Sequence, residues 1–217
     1  MIIFGLERTL VKNIHQIKAI GFDIGGVMLP YSIPQQKQFI ADSIGVELED
    51  VLRAYRKYLP LLEIAALDTE EFWEGLITET GSTASAKETV HVWTDHYIRE
   101  NPVLPRMLHL VDSLRAKGYR TGILSNIDAA HGVINLHRHI FDHFDEVLLS
   151  YQVGVRKPDS AAFRLLANRL DVELEELAFV DDLPLNVDAA QAIGINAVLF
   201  DSYDGLLLAL KKIGVTI

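Results

Sequence analysis

Five short apolar runs, each ending at a polar or glycine-containing turn, constrain the fold of this chain more than any other feature. They are Ile17–Ile24, Tyr119–Leu124, Phe144–Leu149, Leu177–Val180 and Asn196–Phe200. Near-continuous hydrophobicity over so few residues is the pattern of strands covered on both faces, as in a parallel sheet. Helical patterns separate the later runs. Pro105–Lys117 opens on proline and stops at Gly118, and Ser160–Leu170 follows Asp159, a good N-cap. Pro184–Ile193 closes at Gly194 and Tyr203–Ile213 at Gly214. Strand and helix alternating at this spacing predict an α/β fold with a Rossmann-like, doubly wound parallel sheet.

The stretch from Tyr31 to Asn101 breaks that rhythm. Only helical segments are read there: Gln35–Ile44, Leu48–Tyr58, Asp68–Glu79 and Ala86–Ile98. Asp68 with Glu71 has the spacing of a capping box ahead of Phe72, Trp73 and Leu76. An insert of roughly 70 residues is too long for a connection. The expectation is therefore a core of residues 1–30 and 102–217, with residues 31–101 as a helical domain over the end of the first strand. Residues 1–16 are read as a short leading helix.

Composition narrows the function. The chain has 217 residues, enough for one domain carrying an insert, and no cysteine. Thiol catalysis, cysteine-ligated zinc and iron–sulfur clusters are excluded. Thirty acidic against twenty basic residues give a formal charge of −10, which argues against a nucleic-acid partner. No apolar run reaches the 18 or so residues of a membrane span. The first residues, Met1 to Glu7, lack the cationic start of a signal peptide, so a cytoplasmic location is the expectation.

In open parallel sheets, ligands bind beyond the carboxyl ends of the strands. Asp23-Ile24-Gly25-Gly26 follows the first run, and Ser125-Asn126 follows the second. Arg156-Lys157-Pro158-Asp159 lies in the loop after the third, and Asp181-Asp182 with Asn186 after the fourth. An aspartate at a strand end can act as nucleophile or metal ligand. A pair of acids suits Mg²⁺, which takes oxygen ligands. A serine, a neighbouring backbone N–H and a lysine can hold phosphate oxygens. Together they offer phosphoryl transfer by positioning and charge neutralisation.

Gly21-Phe22-Asp23, Leu124-Ser125-Asn126, Arg156-Lys157-Pro158-Asp159 and Phe179-Val180-Asp181-Asp182 with Asn186 resemble, in order, the four motifs of the haloacid dehalogenase (HAD)-like hydrolase superfamily. The resemblance spans nearly the whole chain, including a helical insert between the first and second motifs. It implies a C1-type cap, Mg²⁺ and an aspartyl-phosphate intermediate. Residue by residue, it makes Asp23 the nucleophile and a metal ligand. Ser125 and Asn126 become substrate-binding, and Lys157 balances charge on Asp23 and the phosphoryl group. Asp182 becomes the direct metal ligand, with Asp181 acting directly or through water, and Gly25 can contribute its backbone carbonyl. The expected substrate is a small phosphorylated metabolite, sugar phosphates included.

The sequence departs from that pattern at Gly25, where the family's phosphatases carry a second aspartate for proton transfer. General acid–base catalysis is worth about 10²–10⁴-fold. Three outcomes stay open: a substrate with a good leaving group, a substitute proton donor, or a silent binding module. Carbon–halogen hydrolysis is a further alternative, which the Asp181-Asp182 pair disfavours. Elsewhere, His131, His137, His139 and His143 have no clean metal-ligand spacing. Arg156 is read as a surface residue. Trp73, Trp93 and Tyr97 are read as the interior of the helical insert. Met28, Tyr31 and Gln35 are placed near the substrate, and Asn186 either pins its loop or touches ligand.

Overall fold

The computed structural model describes residues 16–217, so nearly all of the expected leading helix lies outside the described residues. The first strand, β1 (Ala19–Phe22), is followed by four helices: α1 (Ile33–Ile44), α2 (Leu48–Leu62), α3 (Thr69–Thr80) and α4 (Ala86–Glu100). The alternating series then begins: α5 (Pro105–Ala116), β2 (Arg120–Ser125), α6 (Ala129–His137), β3 (Glu146–Leu149), α7 (Ser150–Val153) and α8 (Ser160–Arg169). It ends with β4 (Leu177–Asp181), α9 (Pro184–Ala192), β5 (Asn196–Leu199) and α10 (Tyr203–Lys212). The five strands form one parallel sheet in the order β3-β2-β1-β4-β5. This is the expected α/β architecture.

The strand sequences explain the layering. Side chains alternate along β1, so Ile20 and Phe22 join one buried cluster with Met107, Leu110 and Leu114 of α5 and Leu206 and Leu210 of α10. Ala19 faces the other way, into a cluster with Phe163 and Leu166 of α8 and Val187 and Ala190 of α9. Gly21 and Gly122 lie side by side in the β1–β2 ladder. A Cβ on Gly21 would sit 2.5 Å from the Leu166 side chain, and one on Gly122 2.8 Å from it. The bare backbone at these two positions lets α8 press directly onto the sheet.

A third apolar cluster lies among α1–α4, built on Ile40, Val51, Tyr55, Phe72, Trp73 and Trp93. The capping box at the start of α3 is present: Asp68 Oδ1 accepts the Glu71 N–H at 2.8 Å, and Glu71 Oε2 accepts the Asp68 N–H at 2.9 Å. Helix α2 runs to Leu62, past the expected stop at Tyr58, because Pro60 falls in its last turn and removes one donor without ending the helix.

Candidate active site

The strand order places β1 between β2 and β4, with Phe22 paired to Ile123 and to Val180. Their carboxyl ends therefore open side by side. Asp23 is the first residue beyond β1, Ser125 ends β2 and Asp181 ends β4. The Asp23 N–H still donates to the Val180 carbonyl at 2.9 Å, so the nucleophile candidate leaves the sheet on a fixed backbone.

Lys157 reaches into this junction from the loop after α7. Its side chain is 1% exposed. Its Nζ lies 2.9 Å from Asp23 Oδ2 and 2.6 Å from Asp181 Oδ2. Asn126 holds the lysine's own peptide unit from both sides: its Nδ2 donates to the Lys157 carbonyl at 2.7 Å, and its Oδ1 accepts the Lys157 N–H at 2.8 Å. Asn186 Nδ2 donates to both oxygens of Asp181, at 3.0 and 3.2 Å, and Asp181 Oδ1 also accepts the Leu183 N–H. Of the two readings open for Asn186, the structure supports the pinning one.

Charge is unbalanced here. Carboxylate oxygens of Asp23, Asp181 and Asp182 lie within 4.8 Å of one another. Three carboxylates share one ammonium, so ionising all three would leave two net negative charges in the site. Burial, with Asp181 adding to it against the opposing pull of Lys157, pushes the Asp23 carboxyl up to about 7. Burial and then Asp181 also raise Asp182. The Lys157 ammonium is held above its ordinary value because, although burial opposes it, Asp23 and Asp181 together outweigh that. An all-oxygen donor set with two surplus charges fits a hard dication such as Mg²⁺. Gly26 (φ +72°) makes room for the Asp182 side chain: a Cβ there would run into its carboxylate. At Gly25 a Cβ would stand 3.5 Å from the Tyr31 ring, an ordinary contact.

A cavity of about 220 Å³ rises from Asp23, Ser125, Lys157 and Asp182 toward α1, α2 and α4. Tyr31, Tyr55, Trp93 and Tyr97 give it aromatic walls. Several residues sit differently from the sequence reading. Arg156 is not a free surface residue: its Nε donates to Glu63 Oε2 at 2.7 Å, joining the loop that carries Lys157 to the end of α2. Trp73 is interior to the helical segment, but Trp93 and Tyr97 also pack on the His131 ring, with centroids 4.0 and 3.8 Å away. Met28 is buried in the sheet-side core, and Gln35 is exposed while Gln36 lines the cavity. His139 pairs with Asp142, and His143 with Asp112. One pair escaped the sequence reading altogether, Asp128 with His131, although its i,i+3 spacing directly after Ser125-Asn126 was a usable signal.

Residues 17–194 match the family model described as haloacid dehalogenase-like hydrolase. The chain belongs to this family. It is 27% identical over 210 residues to a phosphatase of Mycobacterium tuberculosis, covering 91% of this chain and 95% of that one. It is 31% identical over 172 residues to a phosphoserine phosphatase of Thermus thermophilus, covering 74% and 67%. Among solved structures, a HAD family enzyme of Bacteroides thetaiotaomicron in complex with magnesium and inorganic phosphate superposes with a TM-score of 0.72 at 21% identity, covering 88% and 98%. That likeness is one of fold. Membership in the HAD-like family makes the chain a hydrolase by family, and its acidic triad could hold a metal ion.

Proposed function

We propose that this chain is a Mg²⁺-dependent phosphomonoester hydrolase that acts on a small phosphorylated metabolite through an aspartyl-phosphate on Asp23. The observation that carries the reading is the buried group of Asp23, Lys157, Asp181 and Asp182, whose surplus negative charge calls for a dication at the floor of a small cavity. The phosphatases among its relatives support the same reaction class.

Asp23, Asp182 and the Gly25 carbonyl would hold the ion, with Asp181 assisting. Mg²⁺ bound there supplies the charge neutralisation that lets a carboxylate approach a phosphate dianion. The remaining work falls to the chain. The Asp23 main chain is fixed by its bond to Val180, and its carboxylate by the Ile24 N–H on Oδ1 and the Lys157 ammonium on Oδ2. Lys157, fixed by Asn126 and Asp181, neutralises the attacking carboxylate and a phosphoryl oxygen. Ser125 and the adjoining Asn126 backbone receive the other oxygens.

Residues 31–101 serve in this reading as a C1-type cap on a core of residues 1–30 and 102–217. Closure excludes water and selects the leaving group. The cavity walls favour a compact polyol, sugar phosphates included: aromatic faces for C–H surfaces, and the buried, unpartnered Gln36 Oε1 as an acceptor for a hydroxyl.

The test is phosphate release from a panel of sugar phosphates and p-nitrophenyl phosphate, with Mg²⁺ and with chelator. Turnover is expected only with the metal, and Asp23→Asn is expected to lower it by at least about 10³-fold. A wild-type protein inert on every ester overturns the proposal.

A further inference from the structure

Gly25 leaves this site without the carboxylate that would move a proton to the departing oxygen. The cavity lining contains few groups able to replace it. Lys157 is clamped between two carboxylates, and Glu63 is bound to Arg156. The phenols of Tyr31, Tyr55 and Tyr97 are pushed far from the neutral range by burial. Lys37 rests against the Tyr55 ring, its ammonium 5.7 Å from the centroid, and forms no ion pair among the described residues to aim it.

His131 is different. It is 5% exposed and lines the same cavity, between Trp93 and Tyr97. Its Nδ1 lies 2.7 Å from Asp128 Oδ2, so Nδ1 carries a proton in either charge state. Its Nε2 is buried and has no hydrogen-bond partner among the described residues. A carboxylate holding one imidazole nitrogen fixes the ring and stabilises the imidazolium, leaving the other nitrogen for chemistry. Asp128 is itself immobilised as the N-cap of α6, accepting the His131 N–H at 3.1 Å. An unpartnered buried nitrogen is costly unless something occupies it.

We infer that His131, oriented by Asp128, is the proton donor to the leaving group in this enzyme. The inference rests on the phosphatase reading above. As the Asp23–phosphorus bond forms and the phosphorus–oxygen ester bond breaks, the Nε2 proton passes to the leaving oxygen, which departs as the alcohol. Neutral His131 then takes a proton from the water that attacks the aspartyl-phosphate. Inorganic phosphate leaves, and the carboxylate and imidazolium are restored.

The experiment compares kcat/KM on an alkyl phosphate, β-glycerophosphate, with kcat/KM on p-nitrophenyl phosphate, whose leaving group needs little protonation. kcat/KM reads the steps only as far as departure of the alcohol. His131→Gln is expected to lower it on the alkyl ester by about 10²-fold or more, and on the aryl ester by no more than about threefold. Asp128→Asn, which keeps the N-cap but loses the charge that orients the ring, is expected to fall between wild type and His131→Gln on the alkyl ester. The aryl ester also reports how much of each variant is folded. Equal losses on both esters, in both variants, overturn the role of His131 while leaving the phosphatase reading intact. A wild type that hydrolyses neither of these esters nor any of the sugar phosphates above overturns both.

Discussion

Asp182 is the acid of the triad that forms no ion pair among the described residues: Lys157 bonds Asp23 and Asp181 instead. Its carboxylate stands against the bare backbone of Gly26. Asp182→Asn should therefore remove most of the rise in melting temperature that millimolar Mg²⁺ gives the wild type, with little change in chelator. Thermal unfolding with and without the metal checks this. Gly26→Ala should also blunt the metal response by displacing that carboxylate, and lower the melting temperature in chelator by straining a left-handed backbone, whereas Gly25→Ala, whose Cβ meets the Tyr31 side chain at ordinary contact, should keep the metal response. At this scale the sequence was partly legible. Asp23, Asp181 and Asp182 could be named because each sits beside a strand end, and Lys157 because its Arg-Lys-Pro-Asp motif lies in the loop after the third run. That Asp181 is bound to Lys157 and Asn186, leaving the Asp182 carboxylate the freer of the two, depends on side-chain geometry that spacing does not carry.

Helix α6 begins at a site-facing cap, which ties its stability to pH. Burial alone would raise the Asp128 carboxyl, but the His131 imidazole and the N–H groups of the cap hold it below its ordinary 3.8. A depressed carboxyl contributes stability that is complete above its unfolded value and is lost as the pH falls through the folded one. Asp128→Asn should thus be less stable than wild type at pH 7, by about 1–3 kcal/mol for a buried charged hydrogen bond. The gap should narrow once the pH drops below 3.8, as denaturant titrations across pH would record. Elements themselves were read well. Proline starts and glycine stops put the ends of α5, α9 and α10 within a residue or so of their observed bounds. The first strand was read too long, at Ile17–Ile24, because Ile17 and Ile24 are buried without being in the ladder. Hydrophobicity reports burial, whereas a strand is defined by pairing.

Across the whole molecule, the link between the helical segment and the loop bearing Lys157 is the Glu63–Arg156 pair, joined over a sequence separation of 93. No local pattern could have announced it, and Arg156 was misread for that reason. Glu63→Gln leaves the guanidinium without its counter-charge. On the cap proposed above, the expected result is faster hydrogen exchange across residues 31–101 and a rise in KM of about tenfold, the worth of one charged hydrogen bond, with kcat much less affected. Exchange mass spectrometry and steady-state kinetics would measure both. The three apolar clusters carry a longer-range consequence. Those flanking the sheet fix the floor where the acids and Lys157 stand, and the one among α1–α4 is built almost entirely from its own helices. On the function proposed above, mutations inside the upper cluster can thus reshape the roof over the substrate while the anion-handling base is untouched, so descendants of this chain should diversify in what they accept sooner than in what they do to it.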